Sequence, residues 1–286
     1  MYIAIKELNQ IGYPVILLCE FANISRSSYY KWLNRTETKL DKENAIILKE
    51  IIRIYEEVKG IYGYRRMTMN INRNLGIKYN KKRIYRLMRS VNLNSVIRIK
   101  KKKYIYSKPE IAAENILNRD FSAATPNKKW LTDVTEFKLT NGTKAYLSAI
   151  LDLYDNSIIS YVLGNSNNNK LVFDTFDLAI KDNADATPIF HSDRGFQYTN
   201  KIFKEKLNSI SAIQSMSRVG RCIDNGPMEG FWGIIKSEMY YLRKFNNFEE
   251  LKLAIDNYIE FYNKKRLQEK LKGLAPIEYR EQALVA

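Results

Sequence analysis

The sequence predicts a mixed α/β layer with helices on its sheet, preceded by all-α modules and followed by a helical tail. Three observations carry this. Apolar residues recur at helical intervals through residues 1–110, alternation typical of strands begins at Trp130, and strand and helix patterns interleave from Leu171 onward.

Within 1–39, residues 15–22, a break at Asn23-Ile24-Ser25 and residues 26–33 have helix-turn-helix spacing, and Ser25 is placed to cap the second helix. Residues 40–97 read as a second helical module. Leu40, Ile47, Leu48, Ile51, Ile54, Tyr55 and Val58 share a helical face, Gly60 and Gly63 interrupt, and helices follow over 64–75 and 81–91. The last of these carries Lys81, Lys82, Arg83, Arg86 and Arg89. That face suits a recognition helix in the major groove and equally a solvated side of an amphipathic helix. Residues 98–128 read as a basic linker, with the densest positive run at 98–103, then Pro109, a short helical stretch and Pro126.

The α/β core is expected over 129–245. Residues 130–139 alternate like a strand, and Asn141-Gly142 favours a hairpin turn. Apolar strands follow over 145–153 and 158–163, then a helix over 171–180 with Val172, Phe176 and Ala179 on one face. Residues 188–191 form a short strand, 201–207 a helix and 212–216 a final strand. A further helix starts near Pro227, whose missing N–H costs nothing at a first helical position. The tail, 246–286, is helical over 248–262 and 276–282.

Charge narrows the partners. Of 286 residues, 47 are Lys or Arg and 31 Asp or Glu, giving a net charge of +16. Such a surface attracts polyanions, because neutralising phosphates releases condensed counterions. The two cysteines, Cys19 and Cys222, are far apart and outline no disulfide framework, so a reducing cytoplasm is the natural compartment. One histidine, His191, excludes a His/Cys zinc finger. The apolar run 14–19 ends at Glu20 and is too short to span a membrane.

Three acids stand out. Asp133 lies mid-strand on the face of Leu131, Thr135 and Phe137, where an ionised group needs a cation, an arginine or hydrogen-bond donors. Asp193, in His191-Ser-Asp-Arg-Gly-Phe-Gln-Tyr198, follows a short strand, where open α/β sheets bind ligands; an ordinary turn aspartate is the plainer reading. Glu229 falls in the first turn of the helix at Pro227, with Gly226 as its expected cap. Lys236 lies two turns further along the same face. Phe231 and Trp232 read as core.

These words together resemble the OrfB transposases of the insertion sequence three family, within the DDE recombinases. The resemblance is carried by Trp130-Leu-Thr-Asp133-Val-Thr, by the segment from His191 to Tyr198, and by Gln214-Ser-Met-Ser-Arg218 with Asp224-Asn-Gly-Pro-Met-Glu229. Tyr262-Asn-Lys-Lys-Arg-Leu-Gln268, Leu271-Lys-Gly-Leu-Ala-Pro-Ile-Glu-Tyr-Arg280, Gly63-Tyr-Arg-Arg66 and the N-terminal words around Tyr13 and Ser25 fit as well, so it spans about residues 12–281. It differs at Arg194, Gly226 and Gly230, where relatives often carry Gln, Ala and Ser.

The resemblance implies a ribonuclease-H-like core in which Asp133, Asp193 and Glu229 hold two Mg²⁺ or Mn²⁺ ions for cleavage and joining of DNA at element ends. It implies terminal repeats and target DNA as partners, a homo-oligomeric synaptic complex, and an upstream OrfA-type protein or fusion. Lys236, Arg218, Arg65, Arg66, Lys82 and Arg83 are candidates for DNA contact, and His191 for a supporting role or a structural hydrogen bond. The rival readings are a structure-selective nuclease on the same fold and a non-catalytic DNA-binding regulator.

Overall fold

The computed structural model describes residues 1–97, 114–218 and 222–285. The basic run at 98–103 and Pro109 lie outside the described residues.

Three short helices come first: α1 (Tyr2–Gln10), α2 (Val15–Phe21) and α3 (Arg26–Leu33). They close on a small cluster of Ile5, Cys19 and Tyr29, with the Ser25 hydroxyl capping α3 through the Ser28 N–H. The pattern reading gave no bounds for α1 within the helical first 110 residues; this helix fully buries only Ile5.

The next module comprises α4 (Lys39–Glu57), α5 (Tyr64–Leu75) and α6 (Lys81–Ser90). Thr38 and Asp41 form a reciprocal capping box that fixes the start of α4. Ile47, Ile51, Met67, Ile71 and Ile84 are fully buried where the three helices meet.

The sheet holds β1 (Lys129–Lys138), β2 (Lys144–Asp152), β3 (Ile158–Gly164), β4 (Ile189–Ser192) and β5 (Ile213–Met216) in the order β3-β2-β1-β4-β5. The first three form an antiparallel meander, while β4 and β5 run parallel to β1. The first hairpin turns through 139–143 rather than through two residues. Leu139 N–H donates to the Thr143 carbonyl at 2.9 Å, Asn141 Oδ1 accepts from the Thr143 N–H, and Gly142 takes a φ of +87°.

Helices α7 (Asn169–Asp182) and α8 (Lys201–Ser209) cover one face of the sheet, packing Phe176 and Phe203 against Trp130 and Phe190. On the other face, α9 (Gly226–Glu238) and α10 (Phe248–Lys264) bury Phe231, Trp232, Ile255 and Tyr262 against Leu131, Phe137 and Leu151. Both faces are apolar because strand residues alternate between two covered layers. Residues 114–119 lie along the sheet edge: Leu117 is buried in the α9 layer, and Met216 N–H donates to the Glu114 carbonyl.

The last helix, α11 (Pro276–Val285), ties the molecule together. Arg280 reaches Asp155 and, at 2.7 Å, Asp152, both fully buried at the end of β2 and the turn after it. Glu278 pairs with Arg73 of α5 at 2.7 Å. Tyr62 stacks on Phe261 of α10, and Arg66 donates to Glu238 of α9 at 3.4 Å.

Candidate active site

The parallel register of β1 and β4 sets Leu131 beside His191. Asp193, the first residue past the end of β4, follows this register toward Asp133 of β1, whose carboxyl feels its charge. The third acid arrives from the covering helix. Trp232 of α9 donates its indole Nε1–H to Asp133 Oδ2 at 3.0 Å. Glu229 precedes Trp232 by three residues and shares its helical face, about 4.5 Å nearer the start of α9.

Electrostatics agree with this placement. Burial pushes the Asp133 carboxyl up to about 7; the charges of Asp193 and Glu229 push the same way, while the Val134 N–H and the Trp232 indole oppose them. Burial also raises Asp193, although its side chain opens to solvent, and the Gly195 N–H opposes the shift by donating to Asp193 Oδ1 at 2.8 Å. A Cβ on Gly195 would lie 2.8 Å from Gln197 Oε1 and 3.0 Å from Asp193 Oδ1, so a side chain here would displace these two side-chain ends. Behind the pair, the buried Tyr198 hydroxyl lies 3.2 Å from Thr132 Oγ1, and burial together with both aspartate charges raises its pKa.

Other buried carboxylates are matched by arginine. Asp152 and Asp155 share Arg280, Asp224 takes Arg218 and Arg119, and Glu238 takes Arg266 and Arg66. Asp133 and Asp193 form no ion pair among the described residues. Their oxygens suit hard divalent cations, and their mutual repulsion is what such a cation would relieve. Among the described residues, no group of three or more His, Cys, Asp or Glu has spacing that holds one ion jointly. Asp133 and Asp193 are the fitting pair, and Glu229 is the neighbouring third acid.

The remaining candidates are placed as follows. His191 is fully buried between Ser215 Oγ at 2.9 Å and Ser217 Oγ at 3.1 Å, and burial lowers its pKa to about 4, so it is neutral near pH 7. Arg218 is occupied by Asp224, Arg83 by Glu43 and Asn44, and Arg66 by Glu238 and the Leu267 carbonyl. Lys236 lies over the Phe137 ring at 5.3 Å. Arg65 is exposed beside Tyr64, and Lys82 is exposed on α6 with Arg86 and Arg89. Gly226 is the first residue of α9, and Asn225 holds the cap position instead.

Sequence reasoning missed Trp232 as a partner of Asp133, because a buried tryptophan reads simply as core. It also missed Asn225, whose side chain reaches β1. The only available signal was its place in the word that ends at Glu229.

Comparison with known proteins defines the class first. The family described as "Integrase core domain" matches residues 123–222, a second family of the same description matches 229–284, and an "HTH-like domain" matches 41–103. The chain is 43% identical over 97% of its length, and 97% of the relative's, to the putative transposase InsK for insertion sequence element IS150 of Escherichia coli. A transposase-like protein of Haemophilus influenzae is 42% identical over 73% of this chain and 96% of its own length. Among solved structures, the magnesium complex of the HTLV-2 integrase catalytic core, in its dimeric form, gives a TM-score of 0.44 at 22% identity, covering 55% of this chain and 98% of that one. The chain belongs to the transposases of the insertion sequence three family.

Proposed function

We propose that this transposase cleaves and joins DNA at the ends of its insertion element by metal-dependent phosphodiester displacement. Asp133, Asp193 and Glu229 hold the divalent cations, two of Mg²⁺ or Mn²⁺. One observation supports the reading: among the described residues, the neighbouring carboxylates of Asp133 on β1 and Asp193 just after β4 have no ion-pair partner, while the other buried acids are matched by arginine.

When bound, the cations activate the attacking oxygen and stabilise the leaving 3′ oxygen. Asp133 and Asp193 present their oxygens from β1 and from the loop after β4. Trp232 orients one Asp133 oxygen, and Glu229 completes the donor set from α9. Water as nucleophile gives cleavage, and a freed 3′-OH gives joining. The exposed basic residues of α6, including Lys82, contact terminal-repeat DNA from the helical module. Joining two ends requires both to be held at once, which favours a multimer.

The test uses the full chain with Mn²⁺ and oligonucleotides carrying an element end. Nicking and joining are expected, and Asp133→Asn abolishes both while retaining DNA binding. Full activity in that variant removes the assignment. A panel of unrelated junctions and RNA–DNA hybrids separates it from a structure-selective nuclease, which would not prefer its own repeats or join them.

A further inference from the structure

Asn225 stands at the N-cap of α9, where an asparagine side chain ordinarily accepts a bond from the second or third helical N–H. Here it makes no such bond. Its Nδ2 donates across the layer to the backbone carbonyl of Thr132 at 3.1 Å, the residue immediately before Asp133. The residue is 4% exposed, and its Oδ1 has no hydrogen-bond partner. A 3₁₀ turn, Cys222–Asn225, runs straight into α9 and leaves Asn225 outside the extended backbone that a side-chain cap uses, while the dry acceptor weakens the start of the helix. Local stability therefore does not account for the arrangement.

The preceding residue anchors the same point in another direction. Asp224 is fully buried and accepts from the Arg218 backbone N–H at 3.0 Å, from Arg218 Nε at 2.8 Å and from Arg218 Nη2 at 2.9 Å. It also accepts from Arg119 Nε at 2.6 Å and Asn115 Nδ2 at 2.9 Å. Consecutive side chains thus fasten the start of α9 to β1 on one side and to residues 114–119 on the other. Glu229 follows Asn225 by four residues, about 6 Å along the axis. The far end of α9 is held separately, through Glu238 and Arg266.

We propose that Asp224 and Asn225 are positioning residues that set the distance and bearing of Glu229 from Asp133. The inference rests on the reading of Glu229 as a cation ligand. Neither residue touches the reacting atoms. Their effect is on how well the third acid meets the other two, a role in which outer partners commonly change metal affinity or activity 10–100-fold.

Trp232 provides a reporter, since its indole bonds to Asp133 from α9. The protein has 3 tryptophans, so the full chain labelled with ¹⁵N-tryptophan gives three indole signals. In metal-free protein, Asn225→Ala and Asn225→Ser are expected to move the Trp232 signal and leave that of Trp32, in the N-terminal cluster, in place. The Mn²⁺ concentration for half-maximal end cleavage rises roughly 10–100-fold, and saturating Mn²⁺ restores the rate. Serine is a good cap but too short to reach Thr132, so it behaves like alanine if the bond to β1 is what matters. A serine variant indistinguishable from wild type overturns the proposal in favour of simple capping. Movement of all three signals with a lowered thermal midpoint overturns it in favour of general loosening, and an unmoved Trp232 signal with an unmoved Mn²⁺ requirement overturns it outright. Asp224→Asn leaves two arginines uncompensated and is a harsher change, so Arg119→Gln is the milder companion, with a smaller shift in the same direction. If Trp232 moves in the Asn225 variants but Glu229→Gln cleaves normally, the tether stands and the metal role of Glu229 falls.

Discussion

The two ends of α9 each carry a glutamate, and their surroundings are opposite. Glu238 is almost fully buried, gripped by Arg266 through bonds of 2.9 and 2.7 Å, by the Tyr258 hydroxyl at 2.8 Å and by Arg66. Among the described residues, no hydrogen bond or ion pair engages the Glu229 carboxylate, and its charge is felt by Asp133 instead. One end is a finished joint between modules. The other is a concentration of like charge that folding alone does not resolve. A buried acid with its arginine belongs to the scaffold, whereas a buried acid such as Asp133, whose pKa neighbouring acids push further up, marks a place prepared for something cationic.

The sharpest way to break this comparison is to neutralise each glutamate in turn. Glu229→Gln should cut end cleavage by about a thousandfold or more and leave the thermal midpoint nearly unchanged. Glu238→Gln should cost about 3 kcal/mol, because Arg266 stays buried without its counter-ion. That corresponds to a midpoint lower by roughly 6–12 °C. Thermal unfolding and a cleavage assay on both variants check the pair, and exchanged phenotypes would reverse the interpretation.

A smaller effect is expected from pH. The Asp133 carboxyl is held near 7 in the folded protein, against 3.8 for an ordinary aspartate. Between those values the folded chain binds more protons than the unfolded one, so metal-free stability falls as pH rises through this window and stays lowered above it. Asp133→Asn should remove that slope and raise the midpoint at pH 8 in EDTA by roughly 2–6 °C. Scanning from pH 4 to 8 with and without Mn²⁺ measures it, and an unchanged slope in the variant would assign the effect elsewhere.

The smallest effect concerns Lys236, which lies over Phe137. If it also meets a phosphate, Lys236→Ala lowers the slope of log affinity against log salt by about 1. An unaltered slope would remove the phosphate contact.

Much of the core was legible because each strand is buried on two faces or alternates cleanly, and because Asp133, Asp193 and Glu229 sit in distinctive words. The arginines were not legible. A guanidinium that meets DNA and one that meets a buried carboxylate look alike in sequence, and the partner of Arg66, Glu238, lies 172 positions away. Trp232 was read correctly as core but not as a ligand of Asp133, since period and hydrophobicity report burial and say nothing of what an indole N–H faces. The bounds of α1 were not drawn within the helical first 110 residues, because it fully buries a single isoleucine.

Arg280 meets Asp155 across 125 positions of chain. At synthesis rates of 5–20 residues per second, that arginine leaves the ribosome roughly 6–25 s after the anions it neutralises. Until then Asp152 and Asp155 have their backbone N–H donors but not the guanidinium that joins them. The clamp that α11 places on the end of β2 and the turn after it thus becomes available only late in the synthesis of the chain.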